Sequence, residues 1–582
     1  MNERAAGNSA ARIVDRARSW LDPANAPRGL LDSRGALLFA VLFVFYLLYP
    51  HPGFDGLIPD NIAQTAYFSL LSRPNLVGSV GSSSPKGGLI LLLGVAHHLS
   101  HVMLESAWMF KAMLAFFFAA MLYLVDRIAA SIGGPAAGLL AVLVTAGAGY
   151  PTLTFYTGSS NLFFLPPVLL GLALIAMGRD RAGVVSLCVA VTIRPEAAVI
   201  VALVVVLRCA RRGDWRGTVE YSLYLASALL FFVAMAYWSQ GTWERIGGGA
   251  ATGYPAFDSL RTVEHMRQTV GQFFSERFVA LLFLPALFTL IRVERARTYL
   301  YFYSIVVAFA FLVVVGFFGM HFRYIAAGQV LVFALGCAGL ARIHADITRA
   351  DWRTPDISRV AAGAAITGLA LVLAFWSTRS LATCATMLAI PAVYLIVATF
   401  RTSPGVRHLL PACHAAIIAL VAALAVASAF KARETFGASL DSPHPAILDA
   451  REFLADPRIP IGASVIAEDE LLNYVLVKRP DFFRGARSIQ SFNVMTESER
   501  RQALSEAQYL YVSKRRNYGW NYLFYFPRAT WVTDPFRTAV LQMIRTGRNR
   551  RVLGAVLNPI YNSDSRFVAR IDAAAQGASE SH

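Results

Sequence analysis

The chain has 582 residues, of which 56% are hydrophobic and only 15% charged, with a mean hydropathy of +0.50. A soluble protein of this length needs far more charge to cover its surface, so a soluble class is excluded. The net charge of +17 is read as membrane topology before it is read as nucleic-acid binding.

In chain order, residues 1–35 form a cytoplasmic tail with six arginines, the last two being Arg28 and Arg34. No small-residue cleavage site follows the first apolar run, which therefore reads as a span and not as a signal peptide. Apolar blocks predict spans near 36–50, 107–125, 136–152, 161–177, 219–239, 277–292, 299–319, 323–342, 360–377, 381–400 and 409–430. Between 183 and 208, Arg194-Pro195-Glu196 breaks the apolar run, and two short helices meeting at the proline are expected there. With that choice every arginine-rich loop falls on the side of the tail, which gives thirteen crossings and an all-α membrane domain over 36–430.

Two loops, 51–106 and 240–276, then face outside, together with a C-terminal domain over 431–582 whose mixed polar composition predicts a small α/β fold. Within it "ASVIAEDELLNYVL" and "AQYLYVSKRR" read as strand-led units. "TAVLQMIRTGRN" has helical spacing, and "SRFVARID" alternates like a final strand. The five cysteines lie in or beside spans, so no disulfide framework is expected in the domain.

Charges cluster on the outer side. Asp55 and Asp60 follow the first span in "GFDGLIPDNIAQTAY", and Lys86 precedes the apolar "LILLLGVAHHL". Arg194 and Glu196 stand at the tip of the helix pair, and His321 and Arg323 in the turn "GMHFRY". Charges at membrane depth are costly unless paired or functional. A carboxylate suits proton abstraction from a hydroxyl, and lysine and arginine at headgroup level suit a lipid phosphate. Each residue also has a plainer reading. Asp60 stands where a helix N-cap would, and Asp55 sits in a glycine-flanked turn. Lys86 could snorkel, and Arg194 with Glu196 could form a structural pair.

The order of these motifs resembles the GT-C superfamily of polytopic glycosyltransferases. It is similar in layout to the lipid A aminoarabinose transferases, the protein O-mannosyltransferases and the mycobacterial arabinofuranosyltransferases. "PDNIAQ" offers Asp60 with Gln64, "SPKGGLILL" offers Lys86, "IRPEA" offers Arg194 and Glu196, and "FRYIAAGQVLVFALG" offers Arg323. The resemblance implies transfer of a hexose or pentose from a polyprenyl-phosphate donor to a hydroxyl of a glycan, lipid or protein. It implies an inverting reaction at the outer face of a bacterial inner membrane. Asp60 or Asp55 would be the base. Lys86, Arg323 and Arg194 would bind the donor phosphate, with Glu196, Gln64 and His321 in support. Several relatives have two acidic residues in a row here, a pair that could share a divalent metal, Mg or Mn. This chain has Asp60-Asn61, so any such ion would need Asp55. The alternatives are a transporter or flippase of lipid-linked sugars, or a ligase or polymerase using diphosphate-linked oligosaccharides.

His97, His98 and His101 raise a zinc reading, but no third ligand at suitable spacing is visible. The basic and aromatic run 513–528 superficially resembles a single-strand nucleic-acid surface. On an outer domain it reads as a lipid- or glycan-facing patch, and no nucleic acid is expected.

Overall fold

The computed structural model describes residues 30, 32–51, 62, 64–68, 86–100, 108–212, 215–240, 259–292, 325–348, 357–399, 409–440, 445–479, 481–489, 492, 495–514 and 535–573. The chain divides into two units. One comprises Met1–Pro50, Ala112–Ala228 and Phe257–Ser439, the other His51–Lys111, Leu229–Ala256 and Leu440–His582.

The helices begin with α1 (Ser33–Leu48), α2 (Gly87–Leu99), α3 (Trp108–Gly133), α4 (Pro135–Gly147) and α5 (Gly149–Thr157). They continue with α6 (Ser160–Ala176), α7 (Asp180–Ile193), α8 (Ala198–Arg212), α9 (Trp215–Gln240) and α10 (Ser259–Ser275). Then come α11 (Arg277–Arg292), α12 (Ile325–Thr348), α13 (Ile357–Thr378), α14 (Leu381–Thr399) and α15 (Leu409–Leu440).

Among the described residues three helices are long and apolar enough to cross a membrane, within α3, α9 and α15; α4 and α5 together form a broken pair bent by 57°. Other apolar helices, α1, α2 and α6 among them, are shorter, so thirteen full-length crossings are not matched one for one. Large apolar side chains stand exposed along the outside, such as Leu37 on α1, Leu230 on α9 and Leu420 on α15. Hydrocarbon accepts such a surface and water does not.

Several boundaries differ from expectation. Helix α3 runs to Gly133, well past 125, because Asp126 and Arg127 at the end of the apolar run are themselves buried and paired. Helix α4 stops at Gly147 instead of 152. Pro151 has no N–H to continue the ladder, and the Thr152 hydroxyl donates to the Ala146 carbonyl at 2.7 Å, satisfying an end-group that the break exposes. The loop 240–276 contains α10, whose Val270, Phe273 and Phe274 are buried at helical spacing while its polar face hides the helix from a hydropathy reading. Helix α15 continues to Leu440 through polar helix formers, past the apolar limit near 430. The span expected over 299–319 lies outside the described residues.

The break at Arg194 is as expected. Helix α7 ends on it, the residue before Pro195 is extended as proline demands, and a 3-10 turn, Pro195–Ala197, leads into α8. Helices α6 and α7 pack closely antiparallel. A Cβ on Gly183 would meet the Gly171 carbonyl at 2.7 Å, and the Ser186 hydroxyl donates to the Pro167 carbonyl at 2.8 Å.

The C-terminal part comprises α16 (Pro445–Leu454), β1 (Ala463–Ala467), α17 (Asp469–Lys478), β2 (Phe483–Ser488), α18 (Glu497–Glu506) and β3 (Tyr509–Ser513). It ends with α19 (Pro535–Thr546), β4 (Arg550–Val552), β5 (Ala555–Asn562) and β6 (Arg566–Ala573). One sheet has the order β2-β1-β3-β6-β5-β4, with β1 parallel to β2 and β3 and the remaining pairs antiparallel. Leu510 and Val512 of β3 face Val540 and Met543 of α19 on one side, while Phe453 of α16 meets Tyr511 on the other. Helices therefore cover both faces, as a parallel segment requires. The four segments expected in this domain form over their described residues, Arg515 and Arg516 lying outside these. Strands β2, "FRGARS", and β5, with Pro559 beside a register shift, carry no alternating apolar signal of their own.

Candidate functional site

Lys86 occupies the N-cap position of α2, and its backbone N–H donates to Gln64 Oε1 at 2.7 Å. Gln64 is fully buried beside Thr65 and Tyr67. A carboxamide from the first loop thus takes one of the amides that a helix start leaves unpaired, and so fixes where α2 begins. Gly87 and Gly88 follow, and a helix N-terminus preceded by a lysine presents amides and a cation to one anion. Gly87 packs against Met235, and Gly94 leaves room for the Phe68 ring, which anchors α2 along its length. At its other end His97 Nε2–H donates to the Val477 carbonyl at 3.2 Å, and the ring lies 6.0 Å from Phe110. Val477 lies in the last turn of α17, where carbonyls lack helical partners. Helix α17 is buried all round over 471–477, so the first loop and the C-terminal domain belong to one packed unit.

In the other unit Arg194 is almost wholly buried; its guanidinium donates to Asn161 Oδ1 and lies 5.4 Å from the Phe164 ring. The sequence reading missed Asn161. Its signal was a lone carboxamide at the start of an apolar span, where a polar group needs a partner. Glu276, between α10 and α11, was missed as well. It is half-buried, and burial raises its carboxyl above the ordinary glutamate range against the smaller opposing effects of the Phe278 N–H and Arg277. A carboxyl with a raised folded value stabilises the fold at low pH, and that contribution is lost as pH rises through the folded value. Glu276→Gln removes the group, so wild type should lose melting temperature relative to this variant as pH rises from ~4. Parallel melting curves across that range would show the carboxyl to be unperturbed.

Asp55, Asp60, His101, His321 and Arg323 lie outside the described residues, as does the side chain of Glu196. Among the described residues no three His, Cys, Asp or Glu side chains gather as a metal site.

The chain is similar to the crystal structure of ArnT from Cupriavidus metallidurans bound to undecaprenyl phosphate, at 14% identity over 92% of this chain and 96% of that one, with a TM-score of 0.48. It is similar to the apo state of the same protein at 13% identity over 92% and 97%, with a TM-score of 0.49. No protein-family model and no curated protein matches the chain. At this identity and TM-score the likeness carries neither activity nor ligand.

Proposed function

We propose that the chain is an integral membrane glycosyltransferase that moves a sugar from a polyprenyl-phosphate donor to an acceptor hydroxyl at the outer face of the membrane. The observation that carries this reading is Lys86 at the start of an apolar helix, its backbone held by buried Gln64. A lysine and helix amides at headgroup level suit a lipid phosphate. The motif order quoted above supports the same reading, with Asp60 as base and Asp55 in support or sharing a divalent ion. Asp60 takes the proton of the acceptor hydroxyl while its oxygen attacks the anomeric carbon from the side opposite the phosphate. The bond from that carbon to the phosphate oxygen breaks, and polyprenyl phosphate leaves with its charge met by Lys86 and Arg323. Arg194, which donates to Asn161, is assigned to the donor phosphate by the motif order. In this reading the N-terminus is cytoplasmic, the C-terminal domain lies in the periplasm, and the chain crosses an inner membrane thirteen times.

The test uses purified full-length protein and a panel of synthetic polyprenyl-phosphate monosaccharides, following release of free polyprenyl phosphate. Release by wild type, and its loss in Asp60→Asn, is the expected result. No release from any donor by folded protein that still binds the lipids would point to transport, or to diphosphate-linked substrates.

A further inference from the structure

Between Asp534 and Asp564 the chain carries five arginines, no lysine and no acidic residue. Four of them, Arg545, Arg548, Arg550 and Arg551, are exposed where α19 gives way to β4. Gly547, with φ at +65°, turns the chain between helix and strand, so the four share one tight corner. Strand β4 ends the sheet and pairs with β5, Arg550 lying opposite Leu557 and Arg551 opposite Val556. One strand further along the Arg551 row, Asp572 is held by Arg570 at 3.1 Å and by Asn558 at 2.6 Å. Like charges set so close repel one another unless an anion meets them. Plainer roles cover only part of this. Arg545 suits the end of a helix, and charge on an edge strand discourages sheet-to-sheet pairing, for which lysine is the usual choice.

The β4 edge stands at a particular end of the domain. Arg550 pairs with Leu557, and Leu557 with Ile571. The neighbouring Arg570 pairs with Tyr509, and Tyr509 with Val465. Arg550 is therefore level with the start of β1. Helix α17 runs back to that same end, since the chain after it enters β2, whose Phe483 pairs with Ala463. There the Val477 carbonyl meets His97 of α2.

Helix α2 itself lies along a membrane face. Its start, Gly87, packs against Met235, where the apolar stretch of α9 ends and exposed Tyr237 and Trp238 follow. Near its other end the His97 ring lies 6.0 Å from Phe110, in the first turn of α3. Trp108 of that turn is exposed, with Lys111 Nζ 4.8 Å above its ring. Tryptophan and tyrosine gather at the interfaces of a bilayer. Both ends of α2 thus touch the ends of spans, and the β4 edge belongs to the same end of the same unit.

The residue type decides the ligand class. The planar fork of arginine matches a phosphate bidentately, which lysine cannot do. At a membrane face the phosphates within reach are those of phospholipids. We infer that Arg545, Arg548, Arg550 and Arg551 bind anionic phospholipid headgroups of the bilayer along which α2 lies, and so hold the C-terminal domain to the membrane. This surface is separate from Lys86, and the inference does not depend on the function proposed above.

The test uses full-length protein in nanodiscs of phosphatidylcholine alone, or of phosphatidylcholine mixed with phosphatidylglycerol. Hydrogen exchange is followed in peptides covering 545–552. In wild type these amides should exchange about fivefold more slowly in the mixed discs, the worth of one arginine at an anionic surface. Replacing all four arginines with glutamine should abolish the difference. Peptides from β1 and β3 should exchange as in wild type, because the replaced side chains are exposed and leave the fold intact. Equal exchange of wild type in the two discs overturns the inference. So does slowing that persists in the glutamine variant, which would place the lipid contact elsewhere. Protection by soluble polyphosphate without protection by phosphatidylglycerol would assign the corner to a soluble polyanion, and overturns it too.

Discussion

Replacing Lys86 with methionine should slow sugar transfer on the order of 10²–10³-fold, the usual cost of removing one preorganised group that meets charge developing in a transition state. The fold should survive. The hydrogen bond that starts α2 runs from the Lys86 backbone to Gln64, so the side chain can change without releasing the helix. Methionine keeps much of the stem that lies at the interface and removes the charge, which separates a phosphate role from snorkelling. Gln64→Ala is the companion test. It leaves Lys86 in the sequence but removes the acceptor that fixes its position, so melting temperature and transfer rate should fall together. Unchanged turnover in Lys86→Met would assign the lysine to interface anchoring and take the phosphate site elsewhere.

Arg127→Leu should cost roughly 3–5 kcal/mol of stability, because it strands a buried carboxylate. Arg127 donates to Asp126 from Nε at 2.8 Å and Nη2 at 2.5 Å, and to Asp32 from Nη1 at 2.8 Å. Arg34 reaches the same Asp126 at 3.3 Å and the Pro135 carbonyl at 3.0 Å. Asp126 is fully buried and Arg127 nearly so, whereas Asp32 and Arg34 keep contact with solvent. The network ties the tail to the α3–α4 turn, and two acids balance two bases. Removing Arg127 alone breaks that balance inside the protein. Removing Asp126 and Arg127 together leaves Asp32 and Arg34, one of each sign and both partly solvated. The double replacement Asp126→Leu with Arg127→Leu should therefore be less damaging than Arg127→Leu alone. Thermal unfolding in detergent, with the fraction of monodisperse protein as a second readout, decides it. Additive losses from the two single replacements would show that the charges act independently.

The sequence by itself determined the membrane class of the protein and the helix break at Arg194-Pro195. Hydropathy is a sum over neighbours in the chain, so the apolar runs of α6, α11 and α14 are legible within a residue or so at each end. Proline acts on its own backbone and on the residue before it, which makes the Arg194-Pro195 break equally local. The run "SRFVARID" carries the signal for β6 in its own residues. Tertiary structure alone decided the partners. Gln64 meets the Lys86 amide across 22 residues, and Arg194 finds Asn161 across 33. Asp126 and Arg127 read as the polar end of a span and are instead its buried, paired continuation. "FRGARS" becomes a strand because β1 offers it a parallel partner. Which helix faces which is settled by close packing over the whole unit. The worth of a buried polar group depends on the partner that packing brings to it, and no local reading of residue order contains that information.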